Sequence, residues 1–167
     1  MSILKVDSLI EKTSGNGVHI PGHIVQITYT EHAPYVTTTS NSFTDTGLQA
    51  VITPKFATSH ILIVCSARAG ISGANGAENV CRLLRNGVDV IGAEGQRYIY
   101  TRIEDGSSNI HTSGYVSFTR RDTSHNSTSA QTYKFQVKTA SGTIRHNDYS
   151  TGTPPAQSTI MLVELAQ

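Results

Sequence analysis

Seven histidines are the side chains of this sequence best suited to bind a metal ion. His19 and His23 have the spacing of two ligands on one helical face, but Pro21 and Gly22 between them exclude that helix. One histidine per chain could still meet its copies on a three-fold axis, and the sequence leaves this open. There is no His-x-His pair, so solvated or interface histidines are the better interpretation. The sequence predicts no metal ion and no cofactor.

Three residues near the C-terminus, His146, Asp148 and Ser150, have the types of a hydrolase triad. On a strand, alternate residues only share a face, whereas a triad needs its nucleophile on a sharp turn beside an oxyanion hole. No Gly-x-Ser-x-Gly motif occurs. A glycosidase pair has equally little support, since its candidates are the isolated acids Glu94, Glu104 and Asp105. We therefore expect a protein that is not an enzyme.

The glycine-rich stretch Gly70–Gly76, with Asn75 and Glu78, has the composition of a phosphate-binding loop. A strand pattern follows it, so the helix N-terminus that would hold a phosphate is missing. The stretch Ala69–Ala77 is predicted to be a surface loop.

Tyrosine and arginine side chains offer a second kind of chemistry, because aromatic rings stack on sugars and guanidinium groups bond to hydroxyls. The alternative, which we favour, is that Tyr98, Tyr100 and Tyr115 line the core or an interface between copies. The candidate contacts with a receptor or glycan are Tyr98, Tyr100, Arg102, Arg120, Arg121 and Tyr149.

The composition limits the classes of partner. The chain of 167 residues has a net charge of +1 and no basic run of the kind that follows a phosphate backbone, so nucleic acid is not expected as a partner. No stretch approaches the roughly 20 apolar residues of a membrane span, and no signal peptide is visible. We expect synthesis in a cytosol and no membrane insertion. A near-neutral charge also permits tight self-association.

The pattern of strands and turns predicts the fold. Eight to ten short strands alternate with turns, and no segment has a convincing helical pattern. His60–Arg68 holds a continuous apolar run that favours a strand buried on both faces. Asn86-Gly87 between two apolar strands predicts a hairpin with a type I′ turn. Regular short strands of this kind predict an all-β antiparallel jelly roll or β-sandwich over residues 23–167.

Residues 1–22 are predicted to be a short, extended N-terminal arm. The arm is too short to form a core, so its apolar side chains must pack against the head domain, other copies or a larger assembly. The predicted anchoring residues are Ile3, Leu4, Val6, Leu9 and Ile10. The two cysteines, Cys65 and Cys81, lie in apolar strands and read as buried thiols, although a disulfide stays open.

Three stretches, in this order, resemble fibre-type virion proteins of bacteriophages and marine viruses. The start SILKVDSLIEKTSGNGVHIPGHIVQ resembles their Leu-Lys-Val strand and Thr-Ser-Gly-Asn turn. The middle resembles their "Gly-Leu…Ile-Thr-Pro…Ser-His-Ile-Leu-Ile" segment, and the end resembles their terminal "Ser-Thr-Ile…Leu-Val-Glu" strand. The matching residues are 2–26, Gly47-Leu48, Ile52–Pro54, Ser59–Val64, Pro154-Pro155 and Ser158–Gln167.

The resemblance implies a homotrimeric jelly-roll head, similar to heads of the complement and tumour-necrosis type, that is displayed on a virion. It implies other virion proteins as partners and no catalytic residues. Tail fibres, head fibres and capsid decoration proteins all show this pattern, so the position on the particle stays open. The alternatives from other functional classes are a soluble carbohydrate-binding module and a small hydrolase.

Overall fold

The computed structural model describes residues 8, 10, 20–32, 34–73, 76–91, 99–102, 110–148 and 157–167, with the backbone alone at Ile99–Arg102 and Ile110. The regular structure in these residues consists of strands. In chain order they are β1 (Ile24–His32), β2 (Val36–Thr38), β3 (Thr44–Ile52), β4 (His60–Gly73), β5 (Glu78–Arg85), β6 (Val88–Asp89), β7 (Ile99–Arg102), β8 (Ile110–Asp122), β9 (Gln131–Lys138), β10 (Thr143–His146) and β11 (Ser158–Leu165).

Sheet A is built around the long strand β4. On one side, β4 pairs with β8 along its whole described length, from Ile61 to Gly73. On its other side, β4 pairs first with β11 and then with β10, so that β10 and β11 lie end to end. β1 pairs with β11 and β2 with β10, which makes β1 and β2 one edge of the sheet and β8 the other. All of these pairings are antiparallel.

Sheet B has the order β3, β9, β5, with β6 and β7 end to end beside β5. When strands that lie end to end are counted as one position, the chain forms eight positions. Sheet A then has the order 1-8-3-6 and sheet B the order 2-7-4-5. This is the strand order of a jelly roll, in which two antiparallel sheets pack face to face. The predicted all-β antiparallel jelly roll is therefore confirmed.

The core lies between the sheets and is filled by alternate residues of each strand. Ile61, Ile63 and Cys65 of β4 are fully buried and face Leu83 of β5 and Phe135 of β9 in one cluster. Burying such side chains contributes about 1.5–3 kcal/mol each for the larger aliphatic and aromatic residues. The alternation of apolar and polar residues along the strands therefore produces this core.

Two local predictions have different outcomes. The hairpin at Asn86-Gly87 is confirmed, because both residues have positive φ, at 47° and 87°. The loop predicted over Ala69–Ala77 is wrong in its first half, since β4 continues to Gly73. At Gly70 a Cβ would lie 2.9 Å from the backbone oxygen of Thr112. The glycine therefore permits a close approach of two strands and does not mark a loop.

The chain enters the sandwich beside its own C-terminal end. The amide of Gly22 donates to the carbonyl of Ala166 (2.8 Å), and the amide of Ala166 donates to the carbonyl of His23 (2.9 Å). Of the proposed arm, only Ser8, Ile10 and residues 20–22 are among the described residues. The division of the chain at residue 22 stays a prediction.

Candidate interaction surface

The outer face of sheet A carries six apolar side chains in two rows across β1, β11 and β4. Side chains that are direct neighbours across strands lie on the same face of a sheet, about 5 Å apart. Ile27 and Tyr29, on the edge strand, are 55% and 56% exposed. The block, which we call the apolar face, consists of the row Ile27, Val163 and Leu62 and the row Tyr29, Met161 and Val64.

Strand β1 turns its apolar residues outward, which is the reverse of the arrangement in an ordinary surface strand. An antiparallel strand with one solvated face usually turns its apolar residues inward. In β1, Gln26, Thr28 and Thr30 point toward the core, as do their register neighbours on β11. Ile27 and Tyr29 point outward. The strand therefore offers its apolar side to whatever lies outside the sandwich.

The apolar run in β4 also places apolar side chains on the outer face of sheet A. It was predicted to be buried on both faces, and in the single chain burial is complete on the inner face and partial on the outer face. Ile61 and Ile63 face the core and are fully buried, whereas Leu62 and Val64 face outward and are partly exposed. The apolar face therefore combines a buried centre, Val163 at 5% exposure, with an exposed edge at Ile27 and Tyr29.

The outer face of sheet B has the opposite character. Gln136 donates from Nε2 to Oδ1 of Asp45 (2.5 Å) and accepts at Oε1 from Nε of Arg82 (2.7 Å). The guanidinium group of Arg82 lies 4.0 Å from the ring centre of Phe43. Lys134 forms an ion pair with Asp45 at 3.3 Å. These polar groups bond to one another across the strands, so this face is suited to solvent.

The predicted anchoring residues are only partly placed. Ile10 is 84% exposed. The other four, Ile3, Leu4, Val6 and Leu9, lie outside the described residues. The anchoring role of the arm stays a prediction.

The predicted receptor contacts divide into three groups. Tyr98 and Tyr149 lie outside the described residues. Tyr100 and Arg102 belong to β7, whose backbone pairs with β5, and their side chains are not described. Arg120 and Arg121 are exposed near the end of β8 and line a cleft of about 190 Å³ together with Asp89, Val90, Asp122, Thr123 and Ser124. Tyr115 also points outward, so it does not belong to the core.

One wall of this cleft is held by a buried ion pair that joins the two sheets. Asp122 of β8 accepts from Nη1 of Arg85 in β5 at 2.6 Å and from the hydroxyl of Tyr133 in β9 at 2.8 Å. Burial would raise the pKa of Asp122, but hydrogen bonds from Ser124, Tyr133 and Arg85 outweigh burial and hold that pKa below its usual value. The carboxylate is thus ionised and saturated with donors, which fixes this end of β8.

A second buried carboxylate, Glu164 of β11, fixes the turn between β3 and β4. Its oxygens accept from the amides of Lys55 (2.8 Å) and Phe56 (3.1 Å), the hydroxyl of Ser59 (2.7 Å) and Nε2 of Gln26 (2.6 Å). Burial would raise the pKa of Glu164, yet these four donors outweigh burial and lower it. This role of Glu164 is not visible in the sequence, because a glutamate in an apolar strand gives no signal of its backbone partners.

The residues of the proposed triad do not form a catalytic site among the described residues. His146 is fully buried between the sheets, with its ring centre 5.9 Å from that of His32. Burial and the neighbouring His32 lower the pKa of His146 to about 4, so it is a neutral core residue at pH 7. Asp148 lies 2.7 Å from Nε2 of His111 instead. Ser150, like Glu94, Glu104 and Asp105, lies outside the described residues.

The cysteine thiols are free and buried, as the simpler of the two predictions had it. Burial raises the pKa of both Cys65 and Cys81 to about 12, so neither is a nucleophile at neutral pH. Within the described ranges, no three histidine, cysteine or acidic side chains are grouped as metal ligands. The same ranges contain no helix with the length and apolarity to cross a membrane.

No protein-family profile and no curated protein matches the sequence of this chain. Among solved structures, the chain is similar to a chain in the structure of infectious bursal disease virus, Gx strain, with 12% identity and a TM-score of 0.43. The similarity covers 85% of this chain, and this chain spans 37% of the viral one.

Proposed function

We propose that this protein is a non-enzymatic structural protein of a bacteriophage virion that works as a homotrimer. In this proposal the jelly-roll head associates through the apolar face of sheet A. The arm, residues 1–22, attaches the head to other virion proteins, and the surface that remains outside contacts the host as part of a fibre or spike. The protein is assembled in the host cytoplasm and resides on the virion.

The apolar face is the observation that carries the proposal. Gln26 is held inward by its bond to Glu164, but Ile27 and Tyr29 stay 55% and 56% exposed, which leaves apolar surface in water when the head is alone. This arrangement, together with the polar outer face of sheet B, supports contact between copies through sheet A only. The viral role is supported by the resemblance of residues 2–26 and Ser158–Gln167 to virion fibre proteins and by the jelly-roll fold.

The solution mass of the full chain tests the proposal. Light scattering is expected to give a mass near three times 18.0 kDa. A variant without residues 1–22 should stay trimeric, at three times its own smaller chain mass, because the apolar face lies wholly in the head. A monomeric full chain would refute the homotrimer and favour the carbohydrate-binding module, and a trimer that dissociates on removal of the arm would show that the arm holds the copies together.

A capsid decoration protein is the second candidate, because the same trimer could clamp capsid subunits. The two roles differ in where the head sits on the particle. Labelling of purified virions with a head-directed antibody would show the fibre role at the tail or at a projecting spike, and the decoration role evenly over the capsid.

A further inference from the structure

The apolar face of sheet A has an acid at one corner and a base at the diagonally opposite corner. On β1, Glu31 is the next outward residue after Tyr29. On β8, Arg121 is the register neighbour of Leu62 and so continues the row that begins at Ile27. Both charged side chains are exposed, and their strands form opposite edges of the sheet. The apolar face thus lies between two opposite charges.

These two charges are too far apart to pair within one chain. Strands β11 and β4 lie between β1 and β8, so three strand spacings separate the charges by about 14 Å across the sheet. Glu31 also lies four residues beyond Ile27, which adds about 14 Å along the strands. The resulting diagonal of about 20 Å exceeds the combined reach of a glutamate and an arginine side chain.

Neither charge has an ion-pair partner among the residues that the structure describes. The hydroxyl of Tyr29 donates to Oε1 of Glu31 at 3.0 Å, which holds the carboxylate at the border of the apolar face. The second carboxylate oxygen can still accept hydrogen bonds, and the guanidinium group of Arg121 offers five N–H donors. Both groups can therefore bond to another molecule that covers the apolar face.

A ring of three copies brings opposite borders of this face together. Each contact in such a ring joins two different patches of the chain, one from each neighbour. When sheet A faces the three-fold axis, the β1 border of one copy lies beside the β8 border of the next. The distances across and along the strands are both about 14 Å, so strands inclined by about 45° to the axis place the two corners at the same height.

We propose that Glu31 of each copy forms an ion pair with Arg121 of the next copy, at the rim of the interface that the apolar face makes. The inference rests on the proposed homotrimer and names the contact that closes its ring. Ion pairs at a rim contribute less to affinity than the apolar centre, but they suppress wrong alignments and fix the register of the partners. The pair therefore sets which border of one head meets which border of its neighbour.

Reversal of the two charges tests the pairing in the full chain. Glu31→Arg and Arg121→Glu each place like charges at all three contacts, so each should raise the concentration at which half of the chains are trimeric by about tenfold or more. The chain with both reversals restores opposite charges and should return to within about threefold of the unmodified chain. Light scattering over a dilution series measures this concentration, and added salt should shrink the differences. Because the two residues cannot meet within one chain, rescue by the second reversal reports a contact between copies.

Lys138→Glu is the matched control, since it reverses a charge on β9, in sheet B. It should leave the assembly concentration unchanged, and circular dichroism should show that all four variants are folded. Single reversals that assemble like the unmodified chain, or a double reversal that stays as weak as the single ones, would overturn the pairing. A trimer without rescue refutes this inference alone, whereas a monomeric unmodified chain refutes the proposed homotrimer and the pairing with it.

Discussion

Replacing Ile27 by aspartate is expected to dissociate the proposed trimer while the sandwich stays folded. Ile27 points out of the edge strand β1 at one end of its row on the apolar face and is 55% exposed in the single chain. Full burial of an isoleucine contributes about 1.5–3 kcal/mol, so covering the exposed half contributes about 1–1.5 kcal/mol in each copy. Three copies lose about 3–4.5 kcal/mol, which weakens assembly by a factor of roughly 10²–10³.

The carboxylate introduced by Ile27→Asp adds a larger penalty to the free energy of assembly. Burying an unpaired charge costs several kcal/mol per ion even after relaxation. No cation lies next to Ile27 in the register, where its direct neighbour on β11 is Val163. At micromolar concentration the Ile27→Asp chain should therefore give the mass of a monomer in light scattering.

Val51→Asp is the matched control, because it makes the same change on the other sheet. Val51 belongs to β3 and is 47% exposed on the polar outer face of sheet B. Both variants share the low strand propensity of aspartate, about 1 kcal/mol at most, so both chains should stay folded. Only Ile27→Asp should lose the trimer. A trimeric Ile27→Asp chain, or a Val51→Asp chain that also dissociates, would refute the assignment of the interface to sheet A.

Two further predictions concern buried titratable groups. Glu164→Ala should destabilise the fold by about 3–5 kcal/mol, because four donors lose their acceptor; urea unfolding measures this, and a loss below 1 kcal/mol would contradict the role of Glu164. For His146, the folded-state pKa of about 4 lies below the unfolded value near 6.5. The unfolded chain therefore binds the proton first, and stability should fall by roughly 3 kcal/mol as the pH drops from 6.5 to 4. His146→Phe should flatten this part of the stability curve, and an unchanged slope would contradict the assignment.

The sequence predicts the strands well where local physics decides the structure. Gln131–Lys138 alternates apolar and polar residues without interruption, and it forms β9 with these bounds. Asn86 and Gly87 tolerate positive φ, and the hairpin follows. In both cases the information lies within a few residues of the chain, so no knowledge of distant contacts is needed.

The sequence does not predict features that depend on a contact with a residue distant in the chain. Nothing near Gly70 shows that β8 approaches it, so a glycine needed for close strand contact reads as a loop residue. Glu164 lies more than 100 positions from Lys55 and Ser59, which it binds. The inversion of β1 is also invisible locally, since alternation shows that two faces differ but not which one meets the core.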